Sequence, residues 1–287
     1  MKKSRIKLFA KILLTIVALI FVFHKIDADT VLQQIKEAKT LYIIPSIVFF
    51  VLSKMISAFR LNHIFKSFAI CLSDKINLML YWRGMFYNIF LPGSISGDLY
   101  KAYYLKRNYK IRVKEGLSAI VIDRVNGVLV LLFLLAIPFV FVCNGINKFV
   151  IPFGIILTFG GFIYTIRNYF HPVSNKVLRI SIYSVFVQLA QLISAGFLLY
   201  ALNTEALGTI LIYLFVFLIS SVAAALPITI GGMGTRELTF AYLSSFFDYD
   251  ASIAVSLSLL FQLITLIVSL TGGMVTLKED KLTSPVL

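Results

Sequence analysis

Polar and apolar positions in this chain fall into long blocks instead of alternating. Four runs contain no charged residue: 125–147 (23 residues), 180–204 (25), 206–235 (30) and 251–277 (27). A helix needs about 20 apolar residues to cross the hydrocarbon core of a bilayer, so each run is long enough. Two more stretches, 8–23 and 40–59, are apolar apart from Lys11 and Lys54. The pattern predicts an all-α, polytopic transmembrane helix bundle. Its seven spans fall near 8–23, 40–59, 117–142, 149–166, 180–202, 207–226 and 251–277. The whole chain, 1–287, reads as a single integral membrane domain with a basic N-terminus over residues 1–7.

Composition agrees. Hydrophobic residues make up 59% of the 287 positions and charged residues 14%, against roughly 25% charged in soluble domains. The mean hydropathy is +0.92. The net charge of +14 would suit nucleic acid in a soluble protein. Here the basic residues cluster beside the spans, as cytoplasmic loops facing anionic lipid do, so no nucleic-acid partner is expected. Residues 1–11 hold five basic side chains and no acid, which keeps the N-terminus cytoplasmic. Lys11 interrupts the first apolar stretch and no small-residue cleavage site follows, so that stretch reads as an uncleaved helix and not a signal peptide. Loop 24–40 balances its charges and reads as an outer loop. Helix 40–59 then delivers Arg60, Lys66 and Lys75 to the cytoplasm, with Lys54 close enough to the interface to snorkel. The last helix ends at Lys278 and Lys281, which places the C-terminus inside as well. The expected location is the cell inner (cytoplasmic) membrane.

Two segments break the pattern. Residues 76–98 are largely apolar but contain Trp82-Arg83, Asn88 and Leu91-Pro-Gly-Ser-Ile-Ser-Gly-Asp98, and the basic residues Lys101 to Lys114 follow at once. Both flanks are therefore cytoplasmic by charge, which a simple span cannot satisfy. The segment is expected to be re-entrant, or a pair of half-helices broken at Pro92-Gly93. Irregular backbone at membrane depth survives only against protein or a water-filled cavity. A second break, Leu226-Pro-Ile-Thr-Ile-Gly-Gly-Met-Gly-Thr-Arg-Glu237, makes 227–247 another broken element. Paired interruptions in the two halves of a chain point to an inverted internal repeat with a binding site near the midplane.

Ionisable residues inside apolar sequence are the candidate functional groups, because each costs at least ~2.5–3.5 kcal/mol at a helix centre without a partner or cavity. Arg83 with Asn88, Asp98 with Lys101, Asp123-Arg124 with Asn126, and Arg236-Glu237 fit that description. Each also has a plainer reading. Asp123-Arg124 would serve as a structural salt bridge, Glu237 as a complement to a helix dipole, and Arg83 as an interfacial anchor beside Trp82. The basic run 101–114 would be a solvated surface helix. On the functional reading, Gly231, Gly232 and Gly234 and the first break open backbone N–H groups to a ligand, and a helix N-terminus plus arginine suits phosphate. Arg83, Arg124 and Arg236 would hold the headgroup, while Asp98, Asp123 and Glu237 orient them when the site is empty.

These stretches also carry a resemblance. In Asn88-Ile-Phe-Leu-Pro-Gly-Ser-Ile-Ser-Gly-Asp98, Asp123-Arg-Val-Asn-Gly127 and Pro227-Ile-Thr-Ile-Gly-Gly-Met-Gly-Thr-Arg-Glu237, and over residues 8 to 277 generally, the chain resembles the lysylphosphatidylglycerol-synthase transmembrane-region family of flippase-like membrane proteins. Ser96 stands where members often have the first of two glycines, and Lys101 where they often have arginine. The resemblance implies a lipid translocase-like membrane domain. The aminoacyl-transfer domain fused to some members is not expected here.

Three functions compete. The first is flippase-like translocation of a phosphate-bearing lipid or lipid-linked headgroup, the partner being an anionic or polyprenyl-phosphate lipid. The second is an integral membrane transferase acting on a lipid carrier, for which only Asp98, Asp123 or Glu237 would serve as base. The third is a non-catalytic partner of a lipid-modifying complex. A homo-oligomer, or association with a lipid-modifying enzyme, is compatible with each. No GxxxxGK[ST] motif is present, so translocation would be passive or driven by an ion gradient. His24, His63 and His171 are scattered, and Cys71 and Cys143 lie far apart without a CxxC partner. No metal, cofactor or catalytic residue is therefore expected.

Overall fold

The computed structural model describes the backbone over residues 2–90, 96–142, 147–225 and 232–279, and the side chains over most of that range. Twelve helices make up the described residues, without a strand: α1 (Lys2–Lys25), α2 (Ala28–Lys36), α3 (Thr40–Ser67), α4 (Asp74–Phe90), α5 (Ser96–Tyr109), α6 (Val113–Val142), α7 (Asn147–Tyr169), α8 (His171–Ser174), α9 (Val177–Ala201), α10 (Leu207–Ala225), α11 (Thr235–Phe247) and α12 (Ala251–Glu279). Six are long and apolar enough to cross a membrane, within α3, α6, α7, α9, α10 and α12, and they coincide with six of the expected spans. The seventh, α1, continues as an apolar helix over Leu13–Lys25. On α7, Phe149, Phe153, Leu157 and Tyr164 each expose more than 60% of their surface. In water such a stripe would be strongly unfavourable; in a bilayer it is the ordinary lipid face. This is a multi-pass, all-α membrane protein.

Small and polar side chains hold the helices together where lipid offers no hydrophobic drive. Along α3 the buried face runs Ser46, Phe50, Ser53, Ser57, Arg60, Ile64, a spacing of four and three that keeps one seam toward α9. The two helices run antiparallel. Lys39 N–H reaches the Ala201 carbonyl at 2.9 Å, the rings of Tyr42 and Tyr200 meet, and at the far end His63 meets Tyr183. Between them Ser46 Oγ donates to the Ser194 carbonyl and Ser194 Oγ to the Ser46 carbonyl, each at 2.9 Å.

Exchanging α3–α6 for α9–α12 maps each principal contact among these eight helices onto another. α3 packs on α9. α4 on α5 corresponds to α10 on α11, α5 on α6 to α11 on α12, and α4 on α12 to α10 on α6. The interruptions 91–95 and 226–231 occupy equivalent places, after α4 and after α10; these stretches themselves, with Pro92, Gly93, Pro227 and Gly231, lie outside the described residues. Around the first, α4 and α5 form a tight antiparallel pair. A Cβ on Gly97 would sit 1.9 Å from the Gly84 carbonyl oxygen, so the contact requires glycine.

Helix α2 was not expected, nor was the single-turn α8. Loop 24–40 contains helix α2, because Asp27 caps it by accepting from Asp29 N and Thr30 N (3.3 and 3.1 Å) while buried Val31 anchors it beside α12, where Ser256 Oγ donates to Gln34 Oε1 at 2.8 Å.

Candidate functional site

A cavity of about 280 Å³ opens between the flanks of the two interruptions. Tyr81, Met85, Asn88 and Ile89 on α4 form one wall, and Ala224, Ala225 and Gly232 beside the second interruption form another. Gln262, Thr265 and Ser269 project from α12, one turn or so apart, as a polar ladder. Lys54 of α3 and Arg124 of α6 bring cations to the lining. Gly232 has φ +83°, and a Cβ there would stand 2.8 Å from the Ala224 Cβ, so the backbone lies directly against the end of α10.

Arg124 is held by the acid of the first motif. Asp98, buried in the first turn of α5, contacts Arg124 Nε with one carboxylate oxygen and Lys101 Nζ at 3.3 Å with the other. Lys101 lies over the Tyr81 ring, 4.5 Å from its centre. The Arg124 side chain remains 38% exposed, against 6% for Asp98, so the guanidinium faces the cavity and its counter-ion stands behind it. Asn88 Oδ1 accepts the Gly97 N–H at 2.9 Å, and Ser96 Oγ donates to the Tyr87 carbonyl at 2.7 Å. These bonds fix the start of α5, and so Asp98, against the end of α4.

Asp123, next in sequence to Arg124, faces away from it. Its Oδ1 accepts Arg60 Nε at 2.7 Å, with both side chains at most 10% exposed. Arg60 Nη1 also donates to Ser184 Oγ (2.7 Å); Ser184 meets Asn126 Oδ1, and Asn126 Nδ2 donates to Ser181 Oγ (2.8 Å). This satisfied network ties α3, α6 and α9 together. Two expectations are thereby corrected. Arg60 is not a cytoplasmic loop charge, because α3 runs on to Ser67 and carries Arg60 along its buried seam. Lys54 does not snorkel to an interface: it lines the cavity, 4.6 Å from the centre of the Phe50 ring.

At the second motif, Glu237 accepts the Gly234 N–H at 2.7 Å and the Ser258 hydroxyl at 2.7 Å. It closes the first turn of α11 and leaves its sequence neighbour Arg236 without an ion pair among the described residues. Arg236 lies between the rings of Phe217 and Phe261, 5.0 and 4.9 Å from their centres, and its buried Nη1 meets no hydrogen-bond acceptor among the described residues. Gly234 (φ +85°) brings this turn against α1, where a Cβ would meet Ala18 Cβ at 2.8 Å.

Of the sequence-expected headgroup ligands, Asn88, Arg124 and Gly232 therefore line the cavity. Asp98 and Lys101 back Arg124. Asp123 and Asn126 belong to the inter-helix network, and Gly234 and Glu237 build the α11 turn. Arg83, only 3% exposed, donates from Nη1 to Tyr100 Oη at 3.1 Å and stacks toward Tyr104, outside the cavity lining. Gly231 lies outside the described residues. Sequence reasoning missed Lys54, Gln262, Thr265 and Ser269. Lys54 carried the signal of an ionisable residue inside an apolar stretch; the three α12 residues are uncharged and gave none.

No curated protein matches the chain. The model of the family described as the lysylphosphatidylglycerol synthase TM region matches it over residues 8–177 and again over 170–273. With nearly the whole chain covered, the protein belongs to the lysylphosphatidylglycerol synthase transmembrane-region family.

Proposed function

We propose that this protein translocates a phosphate-bearing lipid, flippase-like, across the cytoplasmic membrane, with both termini on the cytoplasmic side. The observation that carries this reading is the cavity between the two interrupted elements, lined by Lys54 and Arg124. A cation facing a cavity at a helix interior is costly unless something anionic visits it. The guanidinium fork suits a phosphate, and the α12 ladder of Gln262, Thr265 and Ser269 offers hydrogen bonds to its remaining oxygens. At about 280 Å³, just under the ~300–1,000 Å³ of ligand pockets, the cavity suits a headgroup and leaves the hydrocarbon chains in lipid.

The helix contacts support a transport cycle. Spans α3, α6, α7 and α9 cross in alternating directions, so α3 and α9 cross in opposite senses, as their antiparallel packing requires. A two-fold relating α3–α6 to α9–α12 then lies in the membrane plane, the arrangement of inverted repeats, with the cavity between equivalent breaks. Asp98 holds Arg124 in an ion pair, and an arriving phosphate competes for it.

Reconstitution in proteoliposomes with fluorescent lipids tests the proposal. Translocation is expected with the parental chain, is lost in Arg124→Ala, and is reduced in Lys54→Ala and Arg236→Ala. A membrane transferase or a non-catalytic partner would move no lipid at all.

A further inference from the structure

Resting on that reading, we infer that the cavity selects lipids headed by a phosphomonoester, a near-dianion, over phosphodiester and zwitterionic headgroups. Charge is out of balance in and around the cavity. Five cations cluster there: Lys54 and Arg124 in its lining, Lys101 behind Arg124, Arg60 further along α3, and Arg236 over Phe261, whose ring packs on the Phe50 ring beneath Lys54. Three carboxylates face them. Asp123 is consumed by Arg60, Asp98 is shared between Lys101 and Arg124, and Glu237 is consumed by a backbone amide and Ser258. Two positive charges are left over.

One is the excess that a single Asp98 leaves on Lys101 and Arg124, and the other is carried by Lys54 and Arg236, which have only Glu237 between them. Among the described residues Lys54 has no carboxylate within ion-pair distance, and Arg236 has only the faces of Phe217 and Phe261 and an unsatisfied Nη1. The stretches 91–95 and 226–231, outside the described residues, contain no ionisable residue, so neither sequence holds a missing acid. A buried, uncompensated cation is expensive, and two of them leave a site short of two negative charges. A phosphomonoester carries about −1.5 to −2 at neutral pH. A phosphodiester carries only one negative charge, and a headgroup with an added amine carries none or is cationic. The last class would place its ammonium against Lys54 and Arg124, a like-charge contact.

Acyl-labelled phosphatidic acid, phosphatidylglycerol and phosphatidylethanolamine, reconstituted at equal mole fraction with the full chain, test this. Phosphatidic acid should move roughly tenfold or more faster than phosphatidylethanolamine and clearly faster than phosphatidylglycerol. Lys54→Gln should erase the difference between the monoester and the diester, whereas Lys54→Arg should keep it, with unchanged melting temperatures for both variants. Phosphatidylglycerol or phosphatidylethanolamine moving as fast as phosphatidic acid would overturn the selectivity while leaving translocation standing. Immobility of all three would overturn both.

Discussion

Asp123→Asn changes one carboxylate to an amide of the same shape, and its neighbour Arg124→Gln does comparable chemistry one residue away. The structure predicts opposite outcomes. Asp123 neutralises Arg60 in a pair whose side chains are 7% and 10% exposed, at 2.7 Å. Removing that charge strands a buried guanidinium, at a cost of about 3–5 kcal/mol. At roughly 2–4 °C per kcal/mol for a chain of this size, melting in detergent should fall by about 6–20 °C. Replacing both partners, Arg60→Met with Asp123→Leu, removes the stranded charge and should recover most of that loss. Arg124 is 38% exposed toward the cavity, and its counter-ion Asp98 retains Lys101. Arg124→Gln should therefore melt within a few degrees of the parental protein while abolishing translocation. Melting of Asp123→Asn within about 2 °C of the parent, or a double variant as unstable as the single one, would refute this division between a structural and a ligand-facing pair.

Other consequences follow from close contacts. Gly97→Ala places a Cβ 1.9 Å from the Gly84 carbonyl oxygen, so α4 and α5 must separate; a loss of about 1–3 kcal/mol should show in melting, with reduced translocation as Asp98 shifts. Gly234→Ala combines a left-handed φ of +85° with a 2.8 Å approach to Ala18 Cβ and should cost about 1–2 kcal/mol from the backbone alone, again read by melting. Asp27 is held below the ordinary carboxylate range by the Thr30 hydroxyl, then by the amides of Thr30 and Asp29. A depressed acid stabilises above its unfolded value and stops doing so as pH falls through its folded one. Amide protection at Thr30 should thus persist down to about pH 3.8 and fade below it, and Asp27→Ala should lack that protection at every pH.

Much of the fold was legible in the sequence because span length and charge depletion are local properties. The apolar runs mark the long helices, and the two Leu-Pro steps mark where α4 and α10 end. Pairing was less legible, since a charge's partner is chosen by tertiary packing. Asp123 and Arg124 read as one ionic unit, yet they point to different helices, Asp123 to Arg60 and Arg124 to Asp98. The spacing of Ser46, Phe50, Ser53, Ser57 and Arg60 held the clue that α3 continues past residue 59, and a helix boundary drawn at the first charges hid it. Gln262, Thr265 and Ser269 could not be singled out at all: polar residues in an apolar helix acquire meaning only once α12 is seen to border a cavity.

On this reading a lipid phosphate is met inside the bundle by Lys54 and Arg124. Solid-state NMR with ¹⁵N-labelled lysine and arginine in bilayers of phosphatidic acid measures it directly, through dipolar coupling between lipid ³¹P and side-chain nitrogen. Coupling is expected at the Lys54 ammonium and the Arg124 guanidinium, disappearing in Lys54→Gln and Arg124→Gln respectively. Coupling confined to the surface residues Lys106, Arg107, Lys110, Arg112 and Lys114, unaltered by either substitution, would contradict it.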